Sequence, residues 1–389
     1  MKKYILIFAA LLLLAPAQTV CGASEYESQL SEFTDSLLTQ INTDELDVSD
    51  EDGLLFSLTG YNSSGELLKA IAQGEYSLNA ANFIKIASSL FLQGFNQYKY
   101  IIPTVAFQCI LYSVITGIGD GYLSANLKKA TFCAVYVSLA TTVAGAIFKA
   151  TDYSTDAITK LSDFMNTFIT VFFMLIFAGG SSVSASVINP LMLGFSSLAS
   201  KLILSVIIPV SQAAFLLSLS GKIISNMKLT NFKNFIKKTS YFLLGACFSI
   251  FGIIISFEGI TFASIDMAGI NTVKYAVSTL IPVVGKFISE STDVIGGFML
   301  IIKNSLGLVG AVLVGCIVFA PVMKIFTLFL IMRGCSILAE PLCSAELASV
   351  LEEGADFLFF INICVLSCSV MMIVLIGIMM LIGKNMIPH

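Results

Sequence analysis

The chain has 389 residues, of which 57% are hydrophobic and only 12% are charged. Soluble domains carry about 25% charged residues, so this composition argues against a soluble protein and predicts a polytopic membrane protein. The formal net charge is −4, and no block rich in lysine or arginine with interleaved aromatic residues occurs outside the loops, so we expect no nucleic-acid partner.

The cysteines and the single histidine do not predict a metal site. Six of the nine cysteines lie in apolar runs, where cysteine behaves as a small hydrophobic residue: Cys109, Cys133, Cys247, Cys316, Cys364 and Cys368. A zinc site needs several convergent cysteine or histidine ligands, whereas the sequence has no CxxC pair and only His389. Cys335 and Cys343 could pair, although their spacing does not require it. We expect no metal and no cofactor.

Residues 1–23 have the layout of a secretory signal peptide. Lys2 and Lys3 precede an apolar core, Tyr4–Leu14, and small residues follow, with Ala17 or Ala23 as the last residue before cleavage. A core of about a dozen residues is too short to span a bilayer comfortably. An uncleaved first anchor is the alternative.

Residues 24–98 form an acidic segment that we expect to lie outside the cytoplasm. Apolar residues recur there at helical spacing around 30–41 and again around 83–95, which predicts two amphipathic helices. The acidic stretch "NTDELDVSDEDG" joins them. This small helical lobe is either a solvated spacer or a docking face for a partner.

Residues 99–389 are predicted to form a polytopic transmembrane domain. Each span needs about 20 mostly apolar residues. The charge-free run Phe164–Ser200 is longer than one span and is divided by "GGSSVSAS" at 179–186. We predict about seven to nine transmembrane helices within the charge-free runs Ile101–Gly119, Ala130–Phe148, Phe164–Ser200, Leu202–Gly221, Ser240–Phe257, Ser305–Met323, Ile325–Ala339 and Phe357–Gly383.

The positive-inside rule orients these spans. Lys128 and Lys129, and the lysine-rich segment 222–238, are expected in the cytoplasm, and the acidic stretch "TDYSTDAITKLSD" (151–163) outside. An odd number of crossings must then separate Asp163 from Lys222. Either three tight spans (164–180, 183–199 and 202–219) or one span with a re-entrant hairpin satisfies this condition.

The same rule orients the rest of the chain. The span 240–257 leads outside, and 305–323 returns inside and leaves Lys324 at the inner face. The span 325–339 leads out to an acidic loop that contains Glu340 and Asp356, and 357–383 returns. The N-terminus is therefore expected outside the cytoplasm and the C-terminus inside it, in a multi-pass protein of the cell membrane.

The segment 268–297 is too apolar for a solvent loop and too charged for a comfortable span. Its core, "KYAVSTLIPVVGKFISESTDVIGG", places an apolar stripe opposite polar residues that include Lys274 and Lys286, with a break at Pro282 and Gly285. Such a segment suits the interface plane or a re-entrant excursion. We predict an extracytoplasmic lid or wall element at the external mouth.

Sequence motifs do not predict an enzyme. "GIGD" at 117–120 matches an element of intramembrane aspartyl proteases, but these need two carboxylates that share a proton inside the membrane. Asp120 stands at a span end, and no other candidate span contains an aspartate. A span terminus with turn glycines is the preferred interpretation. No P-loop, HExxH or GxSxG motif occurs either.

Two features inside the spans are candidates for function or packing. Arg333 is the one charge within a candidate span, so it is either functional or a residue that snorkels or pairs with Glu340. Gly307, Ala311 and Gly315 recur at i, i+4 and i+8, which predicts tight helix association within the chain or between copies.

The region 257–341, and above all "IPVVGKF" followed by "IKNSLGLVG", is similar to the stage III sporulation protein AE family of endospore-forming bacteria. The resemblance implies a polytopic member of a mother-cell complex that joins a forespore membrane protein across the intermembrane space. That complex resembles a secretion or feeding channel, and its other mother-cell stage III membrane proteins would be partners of this chain. The resemblance carries over no catalytic residues.

Two functions of different classes follow from these observations. The first is a non-enzymatic subunit of such a trans-envelope complex, in contact with the lipid bilayer and with copies of itself or other subunits. The second is an autonomous channel or secondary transporter, for which internal repeats and paired broken helices are typical. No convincing repeat of the segment 268–297 occurs elsewhere in the chain.

Overall fold

Long α-helices make up the computed structural model, which describes residues 60, 64–72, 80–118, 125–178, 182–223, 234–249, 251–252 and 284–381. No β-strand occurs among these residues, so the predicted all-α class is confirmed. The signal-peptide region, the predicted helix around 30–41, Lys274 and Pro282 lie outside the described residues. In chain order the helices are α1 (Ser64–Ala72), α2 (Ala80–Tyr98), α3 (Ile101–Ile118), α4 (Ala125–Ala178), α5 (Ser182–Leu202), α6 (Ile208–Ile223), α7 (234–249), α8 (Val284–Ala339) and α9 (Ala345–Leu381).

Helix α4 joins two predicted spans into one element. Its 54 residues extend for about 80 Å at 1.5 Å per residue. The stretch 149–163, which carries Asp152, Asp156, Lys160 and Asp163, contains neither glycine nor proline and remains helical. Asp156 and Lys160 form an i,i+4 ion pair at 3.2 Å on its surface, a spacing that supports a helix. The predicted external loop between two separate spans is therefore wrong.

Helices α5 and α6 form one continuous path through a π-helical turn at Ile203–Ile207. Pro209 is the second residue after this turn. A proline inside a helix removes one i→i−4 hydrogen bond, and a π-turn is a usual way to absorb such a local mismatch. Because 183–199 and 202–219 follow each other along one axis, they are not the two tight spans that the lysine pattern suggested.

Helices α8 and α9 form an antiparallel hairpin closed by a short turn at 340–344. The backbone N–H of Cys343 donates to the carbonyl of Ala339 at 2.9 Å, which ends α8. Lys324 lies inside this 56-residue helix, so the predicted spans 305–323 and 325–339 are one element and that prediction is wrong. Gly285 and Lys286 lie in the first turn of α8. The residues before Val284 lie outside the described part of the chain, so the break at Pro282 and Gly285 stays a prediction.

Among the described helices, four stretches are long and apolar enough to cross a membrane: Lys128–Ile176, Asn189–Leu219, Leu300–Ala339 and Ala345–Met380. The stretches Ile84–Tyr98 and Ile101–Gly117 of α2 and α3, bent by 42°, make a fifth if they count as one span. A multi-pass helical membrane protein is thus found. Within the described residues the count is lower than seven to nine because predicted spans that follow each other in sequence merge into single helices. The predicted span 240–257 extends beyond the described residues.

Side-chain contacts give the relative directions of the helices. Gly310 of α8 meets Phe168 of α4, and further along α8 Lys324 lies 5.8 Å from the ring of Tyr153, so α4 and α8 are antiparallel. Gly354 of α9 meets Val143 of α4. The start of α4 and the 340–344 turn therefore lie at the same end of the bundle, which we call the hairpin end.

Helices α6 and α7 also have termini at the hairpin end. The hydroxyl of Tyr136 on α4 donates to the carbonyl of Leu219, near the end of α6, at 2.6 Å. On α7, Lys237 contacts Asp356 of α9, and four residues later the rings of Tyr241 and Phe360 are 4.6 Å apart, so α7 and α9 are parallel. Leu381, the last residue of α9, lies at the opposite end of the bundle.

This arrangement overturns part of the predicted topology. The lysine-rich segment was expected inside and the acidic loop outside, yet Lys237 and Asp356 form an ion pair at 2.8 Å. The reason is the number of membrane crossings. Because 305–323 and 325–339 are one helix, α8, the chain crosses once less than predicted, and every later segment lies on the other side. The acidic start of α9 and the lysines around α7 therefore share one end.

The described part of the acidic N-terminal segment packs against the bundle. The predicted helix around residues 83–95 is present as α2, and both α1 and α2 contact α8. Leu90 of α2 and Ala320 of α8 form a small apolar cluster. A Cβ placed on Gly94 would lie 3.1 Å from the hydroxyl oxygen of Thr327 on α8, so α2 lies close along that helix.

Candidate functional site

A polar cavity lies between α6, α7 and α9 near the hairpin end. Its volume is about 50 Å³. Each helix contributes residues that recur every three or four positions, the spacing that puts side chains on one helical face. The polar lining residues are Ser211 and Ser218 of α6, Lys237, Ser240 and Tyr241 of α7, and Glu353 and Asp356 of α9, and the apolar ones are Ala214, Phe215, Phe357 and Phe360.

An ion pair stands at the mouth of this cavity. Lys237 Nζ donates to Asp356 Oδ2 at 2.8 Å, and the two side chains are 43% and 46% exposed. Burial by itself lowers the pKa of Lys237, but the hydrogen bond from Lys237 to Asp356 and the negative charges of Asp356 and Glu353 outweigh it and raise the pKa. Lys237 therefore carries its positive charge at neutral pH.

Serine hydroxyls line the interior of the cavity. Ser211 Oγ donates to the carbonyl of Ile208 at 2.7 Å, and Ser240 Oγ donates to that of Ile236 at 3.1 Å. Each of these hydroxyls has used its proton on its own helix, so its oxygen lone pairs remain available as acceptors. Ser218 is only 5% exposed, and its buried Oγ has no hydrogen-bond partner.

The lining combines acidic, basic and hydroxyl groups. Glu353 and Asp356 are carboxylates and Lys237 is the one ammonium group among the lining side chains, and Glu353 takes part in a further interaction. The lining contains no cysteine or histidine for a soft metal.

Arg333 forms a second ion pair at the hairpin end. Its Nη1 donates to Glu352 Oε1 at 2.9 Å and so joins α8 to α9 across the turn. The expected alternative partner, Glu340, lies in the turn itself. The two side chains are 43% and 52% exposed, which is too exposed for a strongly stabilising pair.

A cluster of tyrosines and lysines surrounds the bend between α2 and α3. Lys149 Nζ lies 5.5 Å and 5.8 Å from the ring centroids of Tyr98 and Tyr100, and it donates to the Tyr100 hydroxyl at 3.3 Å. The hydroxyls of Tyr98 and Tyr153 are hydrogen-bonded to each other. Lysine and tyrosine together are typical of membrane–water interfaces, and "YKY" at 98–100 is the sequence signal that could have indicated this cluster.

Three glycines mark the closest helix contacts in the bundle. A Cβ on Gly307 would collide with Met380, one on Gly310 with Phe168, and one on Gly354 with Val143. A Cβ on Gly315 would meet nothing within 4 Å, and Ala311 is only half-buried. Of the predicted small-residue face, Gly307 alone has the tight contact, whereas the contacts at Gly310 and Gly354 were missed.

Of the remaining candidates from the sequence, only two lie within the described residues. Gly285 and Lys286 belong to the first turn of α8, and Asp120 of "GIGD" lies outside the described residues. No group of three or more histidine, cysteine or acidic side chains with metal-binding geometry occurs in the part of the chain that the structure describes.

Sequence reasoning also missed the polar cavity. Lys237 was interpreted only as a topology signal, and Glu353 and Asp356 as parts of an external loop. Ser211 and Ser218 lie seven residues apart, two helical turns on one face of a predicted span, which was the available signal. Only the three-dimensional contact between α6, α7 and α9 brings these groups together.

Comparisons with known proteins place this bundle in a family. Stage III sporulation protein AE of Bacillus subtilis (strain 168) is 22% identical to the chain over 370 residues, which cover 92% of each protein. No solved structure shows a significant match. The family model of stage III sporulation protein AE matches residues 62–383, from the start of α1 to the end of α9. The chain therefore belongs to the stage III sporulation protein AE family.

Proposed function

We propose that the chain is a non-enzymatic membrane subunit of a sporulation-specific trans-envelope complex that links mother cell and forespore and resembles a secretion or feeding channel. The observation that supports this function most is the family match, which extends over the whole described helix bundle. In this proposal the partners are other mother-cell stage III membrane proteins, a membrane protein of the forespore, the bilayer and copies of the chain itself.

The dimensions of the bundle favour a subunit over a simple membrane anchor. Helices α4 and α8 have 54 and 56 residues, whereas about 20 residues span the hydrocarbon core. Asp152, Asp156 and Asp163 are exposed halfway along α4, and exposed charges are costly within hydrocarbon. Part of the bundle therefore projects beyond one bilayer, where it offers surface to other proteins.

Helix α3 carries an exposed apolar face that is suited to lipid or to another subunit. The face consists of side chains at i, i+3, i+4 and i+7 that are between 43% and 67% exposed: Phe107, Ile110, Leu111 and Val114. Its residues belong to a single helical stripe. In the proposed complex this stripe is one of the surfaces on which neighbours or lipids pack.

The orientation in the proposal follows the lysines at the hairpin end. Lys128 and Lys129 near the start of α4, Lys222 at the end of α6 and Lys237 on α7 gather there, and by the positive-inside rule this end faces the cytoplasm. Because α9 runs away from the hairpin end, its C-terminal Leu381 lies toward the other side of the membrane. This replaces the cytoplasmic C-terminus expected from the span count.

Co-purification during engulfment tests the proposed function. An affinity-tagged copy that restores heat-resistant spores in a strain lacking the chain would be extracted in mild detergent, and its partners identified by mass spectrometry. We expect mother-cell stage III membrane proteins and a forespore membrane protein, enriched over an unrelated tagged multi-pass protein. A chain that purifies without them and transports solutes alone in liposomes would instead support an autonomous channel or secondary transporter.

A further inference from the structure

We propose that Tyr100, Lys149 and Asp152 bind the headgroup of a phospholipid whose phosphate is followed by a primary ammonium group, as in phosphatidylethanolamine. The site lies at the bend between α2 and α3. This inference depends on the geometry of the described helices and not on the proposed complex. Three observations support it: the hydrogen-bond donors of Lys149 and Tyr100, the position of Asp152, and the apolar surface beside them.

Lys149 and Tyr100 together offer hydrogen-bond donors to an anion. Lys149 Nζ donates to the Tyr100 hydroxyl at 3.3 Å and lies over the rings of Tyr98 and Tyr100. An ammonium group has three donors, and a tyrosine hydroxyl that accepts one hydrogen bond can still donate its own proton. Lys149 and Tyr100 are exposed, and no carboxylate in the described part of the chain forms an ion pair with Lys149. A phosphate oxygen is an acceptor that fits these donors.

Asp152 supplies a negative charge one turn from Lys149. Residues three apart lie on the same helical face, and Asp152 stands about 4.5 Å further along α4, away from the hairpin end, at 1.5 Å per residue. It is exposed and forms no ion pair with another described residue, whereas Asp156 is paired with Lys160. A headgroup whose ammonium is joined to its phosphate by a short ethylene linker can therefore contact Lys149 and Asp152 together.

Helix α3 leads from these residues toward the hairpin end. Tyr100, directly before its start, contacts Lys149, and Gln108 Nε2 two turns later donates to Ser138 Oγ at 2.7 Å, so α3 is antiparallel to α4. The 18 residues of α3 extend for about 27 Å, close to the roughly 30 Å thickness of a hydrocarbon core. A bilayer with one surface at the hairpin end therefore has its other surface at Tyr100 and Lys149.

The exposed surface changes from apolar to charged at the same level. Toward the hairpin end lie the exposed apolar face of α3 and Phe148 of α4, which is 60% exposed. Away from it, α4 exposes Asp152, Asp156 and Asp163. A soluble phosphate compound would leave the apolar surface uncovered, whereas the acyl chains of a lipid cover it while the headgroup stays beside Lys149. The occupant is therefore a lipid.

The choice of headgroup follows from Asp152. Phosphatidylglycerol has no cation for this carboxylate, and its phosphate would be repelled by it. Phosphatidylcholine carries a quaternary ammonium without an N–H to donate. The primary ammonium of phosphatidylethanolamine donates hydrogen bonds and carries the charge opposite to that of Asp152, which makes the stronger contact.

Lipid retention in native mass spectrometry tests the proposal. The full-length chain, purified in mild detergent, would be incubated with an equimolar mixture of phosphatidylethanolamine, phosphatidylglycerol and phosphatidylcholine that share the same acyl chains. We expect one phosphatidylethanolamine to be retained in preference to the other two lipids. Soluble glycerophosphoethanolamine, added at the concentration of the lipid, should not displace it.

Three variants assign the retained lipid to this site. Lys149→Gln should abolish the preferential retention. Asp152→Asn should remove the preference over phosphatidylglycerol and leave the binding of phosphate intact. Tyr100→Phe removes only a hydroxyl and should weaken retention by roughly three- to tenfold, as expected for one hydrogen bond.

Two matched controls change exposed charges elsewhere. Asp163→Asn on α4 and Lys201→Gln on α5, both at exposed positions, should retain phosphatidylethanolamine as the unmodified chain does. Because the chain has no tryptophan, the folding of every variant is followed by thermal unfolding with a thiol-reactive dye that reports exposure of the buried cysteines.

Three results would overturn the proposal. The first is a wild-type chain that does not prefer phosphatidylethanolamine. The second is a preference that either Lys149→Gln or Asp152→Asn leaves unchanged. The third is displacement by soluble glycerophosphoethanolamine, because the occupant would then not be a lipid. If Lys149→Gln fails to fold, Asp152→Asn and Tyr100→Phe still decide.

Discussion

Helix α9 has two faces, one packed closely against its neighbours and the other bordering a cavity. Toward α4 and α8 it is close-packed, with Gly354 against Val143 and Met380 against Gly307. Toward α6 and α7 it carries Glu353, Asp356 and Phe360 and leaves a cavity. Small residues let helix backbones approach in an apolar setting, whereas longer polar side chains hold the helices apart. Helix α9 thus has one close-packed apolar face and one polar face that borders the cavity.

The close packing among α4, α8 and α9 can be broken by adding bulk at its glycines. We expect Gly310→Leu and Gly354→Leu to prevent accumulation of folded protein, because the new side chains would collide with Phe168 and Val143, which are fully buried. Overpacking by even a few atoms typically costs about 1–3 kcal/mol, and four added carbons exceed that. Protein level in membranes and dye-detected thermal unfolding are the measurements.

Gly315→Leu is the matched control for that experiment. It adds the same side chain to the same helix as Gly310→Leu, at a position where a Cβ meets nothing within 4 Å. We expect this variant to accumulate normally. Equal loss at Gly315 and Gly310 would mean that the close contact of Gly310 with Phe168 is not the cause.

The shared hairpin end of α4 and α9 predicts that two cysteines placed there react alike. Lys129 and Glu346 are exposed at the hairpin end, so single cysteines at these two positions should both resist a membrane-impermeant maleimide in intact cells and both react after permeabilisation. Cys21, Cys133 and Cys343 would first be replaced by serine. The reason is that α4 and α9 start at the same end, although the linear sequence suggested opposite sides.

A cysteine at Asn304, which is exposed on α8 near the contact of Gly307 with Met380 and so away from the hairpin end, is the control and should react in intact cells. If the cysteines at Lys129 and Glu346 differed in labelling, the shared end of α4 and α9 would be disproved.

The smallest expected effect concerns the ion pair at the mouth of the cavity. Lys237→Gln and Asp356→Asn should each lower the free energy of unfolding slightly, and a double-mutant cycle should give a coupling of about 0.5–1 kcal/mol, because both side chains are nearly half exposed. The same cycle on Arg333 and Glu352, which are as exposed or more so, should give no more. A coupling of zero for Lys237 and Asp356 would show that their contact does not stabilise the fold.

The sequence predicts the helical class and several individual features but not the length of the helices. Apolar runs identify the membrane-compatible segments, and the spacing around 83–95 predicts α2 correctly. Charged residues such as Asp156, Lys160 and Lys324 suggested loops because hydropathy measures only side-chain polarity. It does not measure whether the backbone stays helical. The stretch 149–163 contains neither glycine nor proline, and that absence was the better guide to its conformation.

The candidate site was harder to predict than the fold because it depends on contacts between distant segments. Gly307 was found because the spacing of small residues within one helix indicates a packing face, and its partner, Met380, lies in the helix that pairs with α8. The cavity combines Ser218, Lys237 and Glu353, and nothing in their separate stretches indicates that these stretches meet. An error of one crossing in α8 placed Lys237 and Glu353 on opposite sides of the membrane, which hid the site.

The uninterrupted length of α4 has a mechanical consequence. A helix without a hinge behaves as a stiff rod. When one end is displaced, the whole helix tilts and the other end moves as well. Over 54 residues, a tilt of about 5° displaces the far end by roughly 7 Å, given 1.5 Å of rise per residue. Movements of packed helices by sliding and tilting are a common way in which proteins transmit change. A rod of this kind can carry a displacement from one side of a membrane to a neighbour on the other.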